Sequence, residues 1–298
     1  MRRGIERRQA FWGFLFITPW LAGFLLFTLG PMLASLALSF CRYDMARLQF
    51  VGAANYERLL TRDPLFWRAL WNTATYTLFA VPLGLTGSLL LALLLNRNVR
   101  GLALYRTLYY LPSLIPAVAT ALLWNWVFNA NFGILNQALR AAGMARPPEW
   151  LQDPHWALPA LIVMSLWGIG GGRMIIFLAG LQGIPQSYYE AAAIDGAGRW
   201  QKFRHVTLPM LTPIIFFNLV MGIIGSFQVF TAAYIMTGGG PANATLFYVL
   251  YLFRQAFEQL RMGYASAMAW VLFLILLGFT AIQFRQARRW VYYEGEPQ

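Results

Sequence analysis

Thirty consecutive residues, 11–40, carry no charge. A hydrocarbon core about 30 Å thick needs roughly 20 helical residues to cross it, so this stretch can span with some tilt. Five further apolar stretches follow, at approximately 70–95, 107–128, 157–181, 210–234 and 264–284. In lipid every backbone polar group must be satisfied internally, which restricts spanning segments to helices and closed barrels. The stretches lack the alternation of barrel strands and are far too long for them. The sequence therefore predicts an all-α, polytopic membrane protein with six transmembrane helices. Charged residues make up 11% of the 298, whereas a soluble domain is usually about a quarter charged. That excludes a soluble globular enzyme and a disordered tail. The lone cysteine, Cys41, excludes a disulfide scaffold.

Basic residues outnumber acidic ones by 23 to 11, and Lys202 is the one lysine among them. Placed on the six stretches, the charge separates by side. The N-terminal tail, segments 96–106 and 182–209, and the tail from Arg285 together carry a net +8. The three loops on the opposite side carry a net +3. The positive-inside rule then predicts both termini in the cytoplasm. Topology accounts for the basic excess, and no run of five basic residues points to nucleic acid. The apolar run after Arg2, Arg3, Arg7 and Arg8 exceeds the roughly 7–15 residues of a signal-peptide core, so it reads as a retained first helix. The expected organisation is 1–65 as N-terminal tail, first helix and first outer loop, 66–285 as a core of five helices, and 286–298 as a C-terminal tail.

Missing chemistry narrows the function. No Asp or Glu lies inside any of the six stretches, although coupled carriers commonly place a carboxylate at membrane depth. A P-loop needs Gly-Lys-Ser/Thr, but Gln201 precedes Lys202. His155, His205 and Cys41 have no metal-ligand spacing. No Ser–His–acid arrangement is suggested. The sequence thus assigns this chain no catalytic residue, metal or cofactor. Such a bundle reads as a pore or pathway, and uphill movement through it would draw its energy from another chain.

The loop at 183–209 is the most informative segment. Pro185 can open a helix, and Glu190-Ala191-Ala192-Ala193-Ile194 is a strong helix former. Gly196 and Gly198 then turn the chain. Trp200, Phe203 and Val206 give the next segment an apolar face, and Leu208-Pro209 opens the following membrane helix. A short helix of this kind outside the bilayer presents a compact knob to a partner.

Glu190-Ala191-Ala192, Gly196 six residues after the glutamate, Val206 ten further on, and Leu208-Pro209 resemble the coupling loop of ABC importer permeases. Valine at 206 stands where isoleucine is more usual. The resemblance covers nearly the whole chain. It includes Phe50-Val51-Gly52, Asn55-Tyr56, Asp63-Pro64-Leu65-Phe66-Trp67 and Asn72-Thr73 in the first outer loop and beyond. It continues through Leu111-Pro112, Pro116, Trp124, Phe132-Gly133, Asn136, Leu178-Ala179-Gly180-Leu181-Gln182 and Ile184-Pro185. Thr237-Gly238-Gly239-Gly240-Pro241 followed by Thr245 is similar to the maltose/glycerol-phosphate branch. The resemblance implies a type I, maltose-permease-like fold in a bacterial or archaeal cytoplasmic (inner) membrane. It also implies a second non-identical permease, two ATPase subunits that bind ATP and Mg, an extracytoplasmic solute-binding protein and a sugar-like substrate. Glu190, Ala191, Ala192, Asp195, Gly196 and Ala197, with Leu208 and Pro209, would then couple to the ATPase.

Polar groups at membrane depth need partners or water. Ser113, Ser165, Trp167, Ser226 and Gln228 fall where related permeases place pocket residues, and Asn218 is polar at similar depth. Such residues also serve simply to bond a neighbouring helix. Ser226 and Gln228 are about 200° apart around a helix, so they cannot share a narrow stripe. Arg173 follows Gly168-Ile169-Gly170-Gly171-Gly172. An arginine near the bilayer centre costs about 2.5–3.5 kcal/mol on insertion scales, so it should face the bundle interior. There it would meet substrate hydroxyls, a substrate anion or a gate residue, or else bond helix carbonyls or the partner permease. The expected function is the membrane-spanning permease subunit of an ATP-driven, binding-protein-dependent sugar importer. A secondary carrier or channel for a small polar solute is the alternative, separable by uptake without ATP. A membrane enzyme acting on a lipid-linked substrate is a third reading.

Overall fold

The computed structural model describes residues 2–292 apart from 46, 98 and 99, with side chains from residue 12. The last part of the expected C-terminal tail, 293–298, lies outside the described residues, as do the side chains of the N-terminal arginines. Among the described residues, four helices are long and apolar enough to cross a membrane: Trp12–Ser39, Pro64–Leu95, Arg199–Met236 and Met262–Ala287. Two bent pairs, Leu102–Leu114 with Ala117–Val127 and Pro154–Gly170 with Gly172–Gly183, bring the count to six if each pair is one span. In chain order the continuous helices are spans 1, 2, 5 and 6, and the bent pairs are spans 3 and 4.

The sequence predicts one membrane span at 107–128, and the structure bends it by 95°. The cause is local. Ile115 precedes Pro116 and is extended, with ψ 129°, because the proline ring disfavours the α conformation of the residue before it. Span 4 bends by 44° at Gly171, which is extended between a tight turn, Trp167–Gly170, and the helix Gly172–Gly183. That turn lies directly on span 3. A Cβ at Gly170 would overlap the Tyr109 carbonyl oxygen, and one at Gly171 would stand 3.0 Å from the Ser113 Cβ. At the start of span 4 the Asp153 carboxylate accepts the His155 N–H at 2.8 Å. That bond, with the His155 ring beside it, holds the carboxyl below the usual carboxylate range.

The chain packs as two units. One comprises 1–63 and 252–274. Span 1 exposes Phe14, Phe16, Trp20 and Phe27. It ends at buried Ser39, whose hydroxyl oxygen accepts from Tyr56 at 2.7 Å. Asn55 Nδ2 donates to the Ser39 and Cys41 carbonyls at 2.8 and 2.9 Å. A small antiparallel hairpin, Cys41–Tyr43 with Leu48–Phe50, is an exception to the all-α expectation. The first turns of span 6 lie against span 1: Trp270 Nε1 donates to Ser35 Oγ at 3.2 Å. A Cβ at Gly263 would overlap the Cys41 carbonyl oxygen.

The other unit comprises 64–251 and the chain from 275. Lipid tails are as apolar as leucine, so helices associate here by close packing rather than by the hydrophobic effect. Leu91, Ala92 and Leu95 of span 2 meet Met174, Phe177, Leu178 and Leu181 of span 4 and Leu211 of span 5. Gly180 allows the approach, since a Cβ there would overlap Ile214 Cδ1. At the other end of span 2, buried Asn72 donates to the Asn243 and Leu246 carbonyls at 2.8 and 3.1 Å. Thr73 Oγ1 accepts the Tyr248 N–H at 2.9 Å. The glycine-rich stretch after span 5 is closed by Thr245 Oγ1, which lies 2.6 Å from Thr237 Oγ1 and donates to the Gly240 carbonyl at 2.7 Å.

Candidate functional site

Two constellations stand out, and both lie within the larger unit. The first is the loop between spans 4 and 5. Its helix, Gln186–Ile194, starts after Pro185. It ends in the two bonds of a Schellman motif: Ala197 N–H to the Ala192 carbonyl at 2.9 Å, and Gly196 N–H to the Ala193 carbonyl at 3.1 Å. Gly196 has φ +76° there, the left-handed conformation that glycine adopts without penalty. Gln201 Oε1 then accepts the Gly198 N–H at 2.7 Å, capping the next helical turn, which runs on through Leu208 and Pro209 into span 5. Tyr189 hydroxyl lies 2.9 Å from Thr207 Oγ1, and Tyr189 and Val206 pack on the Leu91–Leu211 core. The loop is therefore tied to the bundle at its base.

Its tip is free. Ile194 is 88% exposed and Trp200 is 69% exposed. Glu190, Ala191, Asp195 and Gly196 are exposed, while Ala192 and Ala197 are half-buried. Neither Glu190 nor Asp195 forms an ion pair among the described residues. The apolar face expected from Trp200, Phe203 and Val206 is divided: Val206 packs inward, and Trp200 leans on Phe203 with centroids 5.4 Å apart.

The second constellation is a cavity of about 540 Å³. Spans 2, 3, 4 and 5 line it. Span 2 contributes Tyr76, Ala80, Gly84 and Ser88, a row at every fourth residue along one helix face. Ser113 comes from the turn of span 3, and Ser165 and Gly168 to Arg173 from the broken middle of span 4, with Gly170 omitted from the lining. Gly225, Ser226 and Val229 come from span 5. The Arg173 guanidinium sits in a slot between two helices. Cβ atoms at Gly84 and Gly222 would stand 2.9 Å from its Nη1 and 3.4 Å from its Nη2. It makes no hydrogen bond or ion pair with any described residue.

Four of the seven expected pathway residues, Ser113, Ser165, Arg173 and Ser226, come together in this cavity. The other three stand elsewhere. Trp167 meets Trp124 edge-on at 5.7 Å. Asn218 is buried and donates to the Ile214 carbonyl of its own helix at 3.0 Å. Gln228 is exposed at the end of the helix Leu208–Phe227. Sequence reasoning missed Tyr76, Gly84, Ser88 and Gly222. The four-residue spacing from Tyr76 to Ser88 is the signal that would have found three of them.

Residues 84–292 match the family described as binding-protein-dependent transport system inner membrane component. Over 296 residues the chain is 47% identical to the probable ABC transporter permease protein YesP of Bacillus subtilis, covering 98% of this chain and 95% of that protein. It is 38% identical to the lactose transport system permease protein LacF of Rhizobium radiobacter, covering 96% and 97% respectively. The fold superposes with a TM-score of 0.84 and 26% identity on a bacterial alginate ABC transporter, solved in complex with an alginate pentasaccharide-bound periplasmic protein. That match covers 97% of both chains.

Proposed function

The chain belongs to the family of binding-protein-dependent transport system inner membrane components, and from that membership we propose that it forms half of the pathway of a carbohydrate importer. It is an ABC transporter permease subunit, not an enzyme. In this reading a second, non-identical permease completes the pathway and two ATPase subunits bind ATP and Mg. An extracytoplasmic solute-binding protein delivers the substrate. Relatives named for lactose and alginate support the carbohydrate class, and the periplasmic protein seated on the alginate transporter supports the delivery step. The net +8 on one side against +3 on the other supports cytoplasmic termini, and with them a cytoplasmic loop between spans 4 and 5. Residues 1–65 would form the N-terminal tail, first helix and first outer loop, 66–285 the five-helix permease core with the loop at 183–209, and 286–298 the cytoplasmic tail.

The observation that carries the coupling role is the exposed tip of that loop. Ile194 and Trp200 stand in solvent beside two unpaired carboxylates, on a helix whose end is fixed by a glycine. An exposed apolar patch rimmed by polar groups marks a protein interface. Glu190, Ala191, Ala192, Asp195, Gly196 and Ala197 would seat in a cleft of the ATPase, transmitting its closure to span 5 through Leu208 and Pro209. Ile194→Glu is expected to cut the ATPase subunit recovered with the purified permease by roughly tenfold or more, the loss typical of a central interface anchor. Undiminished recovery would remove the docking role.

A further inference from the structure

We propose that the cavity around Arg173 takes an anionic carbohydrate, such as a uronate, whose carboxylate is held by the Arg173 guanidinium. This inference rests on the reading of the cavity as part of the transport pathway. It follows from an inventory of donors. Ser88 Oγ donates to the Ile169 carbonyl at 2.7 Å, Ser113 Oγ to the Tyr110 carbonyl at 2.7 Å, and Ser165 Oγ to the Ile162 carbonyl at 2.6 Å. Ser226 Oγ has Thr77 Oγ1 and the Ile223 carbonyl, each at 2.9 Å. The Tyr76 ring lines the same wall. Every serine hydrogen in the wall is therefore already taken, and those oxygens can only accept.

Arg173 is the exception. A guanidinium carries five N–H donors and does not lose its proton in proteins, and here all five lack a protein partner among the described residues. The slot between Gly84 and Gly222 fixes where they are presented. No Asp or Glu in any span neutralises the charge. An uncompensated cation at this depth is costly, and a planar carboxylate matches the guanidinium fork with two parallel hydrogen bonds. The cavity lies within the roughly 300–1,000 Å³ of small-molecule sites. The N-terminal end of the helix Gly172–Gly183 also faces it, adding a positive dipole end.

The test uses the complete importer with its solute-binding protein in proteoliposomes. The probes are digalacturonate and dimannuronate, each beside the same disaccharide with its carboxylates reduced to hydroxymethyl groups. ATP-dependent uptake should favour the uronates. In Arg173→Gln the uronate-to-neutral ratio should fall by roughly 10- to 100-fold, the size of one charge-assisted pair. Arg173→Lys should restore part of it. An unchanged ratio in Arg173→Gln would overturn the proposal, as would wild-type uptake of the neutral sugars alone. Dissociation of the two permeases in Arg173→Gln would also overturn it, assigning the guanidinium to a carboxylate of the second chain. ATP-dependent uptake of neutral sugars only would leave the importer reading intact, whereas no ATP-dependent uptake of any carbohydrate would remove both.

Discussion

Gly196→Val is expected to cut transport sharply while leaving the chain in the membrane. Nothing lies within 4 Å of where a side chain at Gly196 would begin, so the variant causes no clash. Its whole effect is on the backbone. Gly196 sits at φ +76°, and a β-branched residue there is a genuine outlier, costing about 1–3 kcal/mol. The helix it ends has nine residues, too few to be stable without help. Losing the bonds from Gly196 to Ala193 and from Ala197 to Ala192 frays the turn that presents Ile194 and Asp195. Uptake per inserted chain should drop by roughly 5- to 150-fold, the ratio that cost corresponds to. Asparagine tolerates the left-handed conformation better, so Gly196→Asn should fall between. Glu190→Lys, which reverses a charge on the same exposed face, should lose coupling with the fold intact. Normal uptake in Gly196→Val would show that the loop's shape is irrelevant to coupling.

Gly170→Ala is expected to have the largest effect on the fold. The new methyl group would overlap the Tyr109 carbonyl oxygen, which is backbone and has no rotamer to escape into. Overpacking typically costs about 1–3 kcal/mol and occasionally more, and a main-chain obstacle belongs at the upper end. Span 4 would have to lift from span 3, opening the wall that carries Gly171 and Ser113. Gly168→Ala, only two residues earlier, has open space within 4 Å. Thermal unfolding in detergent should therefore separate the pair, with Gly170→Ala sharply lowered in midpoint and folded yield and Gly168→Ala close to the unaltered chain. Equal midpoints would mean that this close approach does not hold the bundle.

The spans were legible because uncharged length is a global constraint, and the loop at 183–209 because proline, alanine and glycine act locally. Pro185 does open its helix, and Gly196 ends it. The 95° bend in span 3 was also written locally, in Ile115 preceding Pro116, but apolar continuity across 107–128 conceals it. The cavity was only partly legible. Ser113, Ser165, Arg173 and Ser226 meet there, whereas Trp167, Asn218 and Gln228 do not line it. A polar side chain at membrane depth is satisfied equally by its own helix, as Asn218 is by Ile214, so residue type alone cannot say which way it turns. The room that Gly84 and Gly222 leave for the Arg173 guanidinium was invisible for a different reason: that arginine is 89 positions from one and 49 from the other.

We propose that this chain is a pathway without an energy source of its own, driven through the loop between spans 4 and 5. The direct measurement is carbohydrate uptake into proteoliposomes containing the purified permeases, with and without the ATPase subunits, ATP and the loaded solute-binding protein. Uptake should require all of them together. Accumulation by the permeases alone, without ATP, would show that the pathway needs no ATPase.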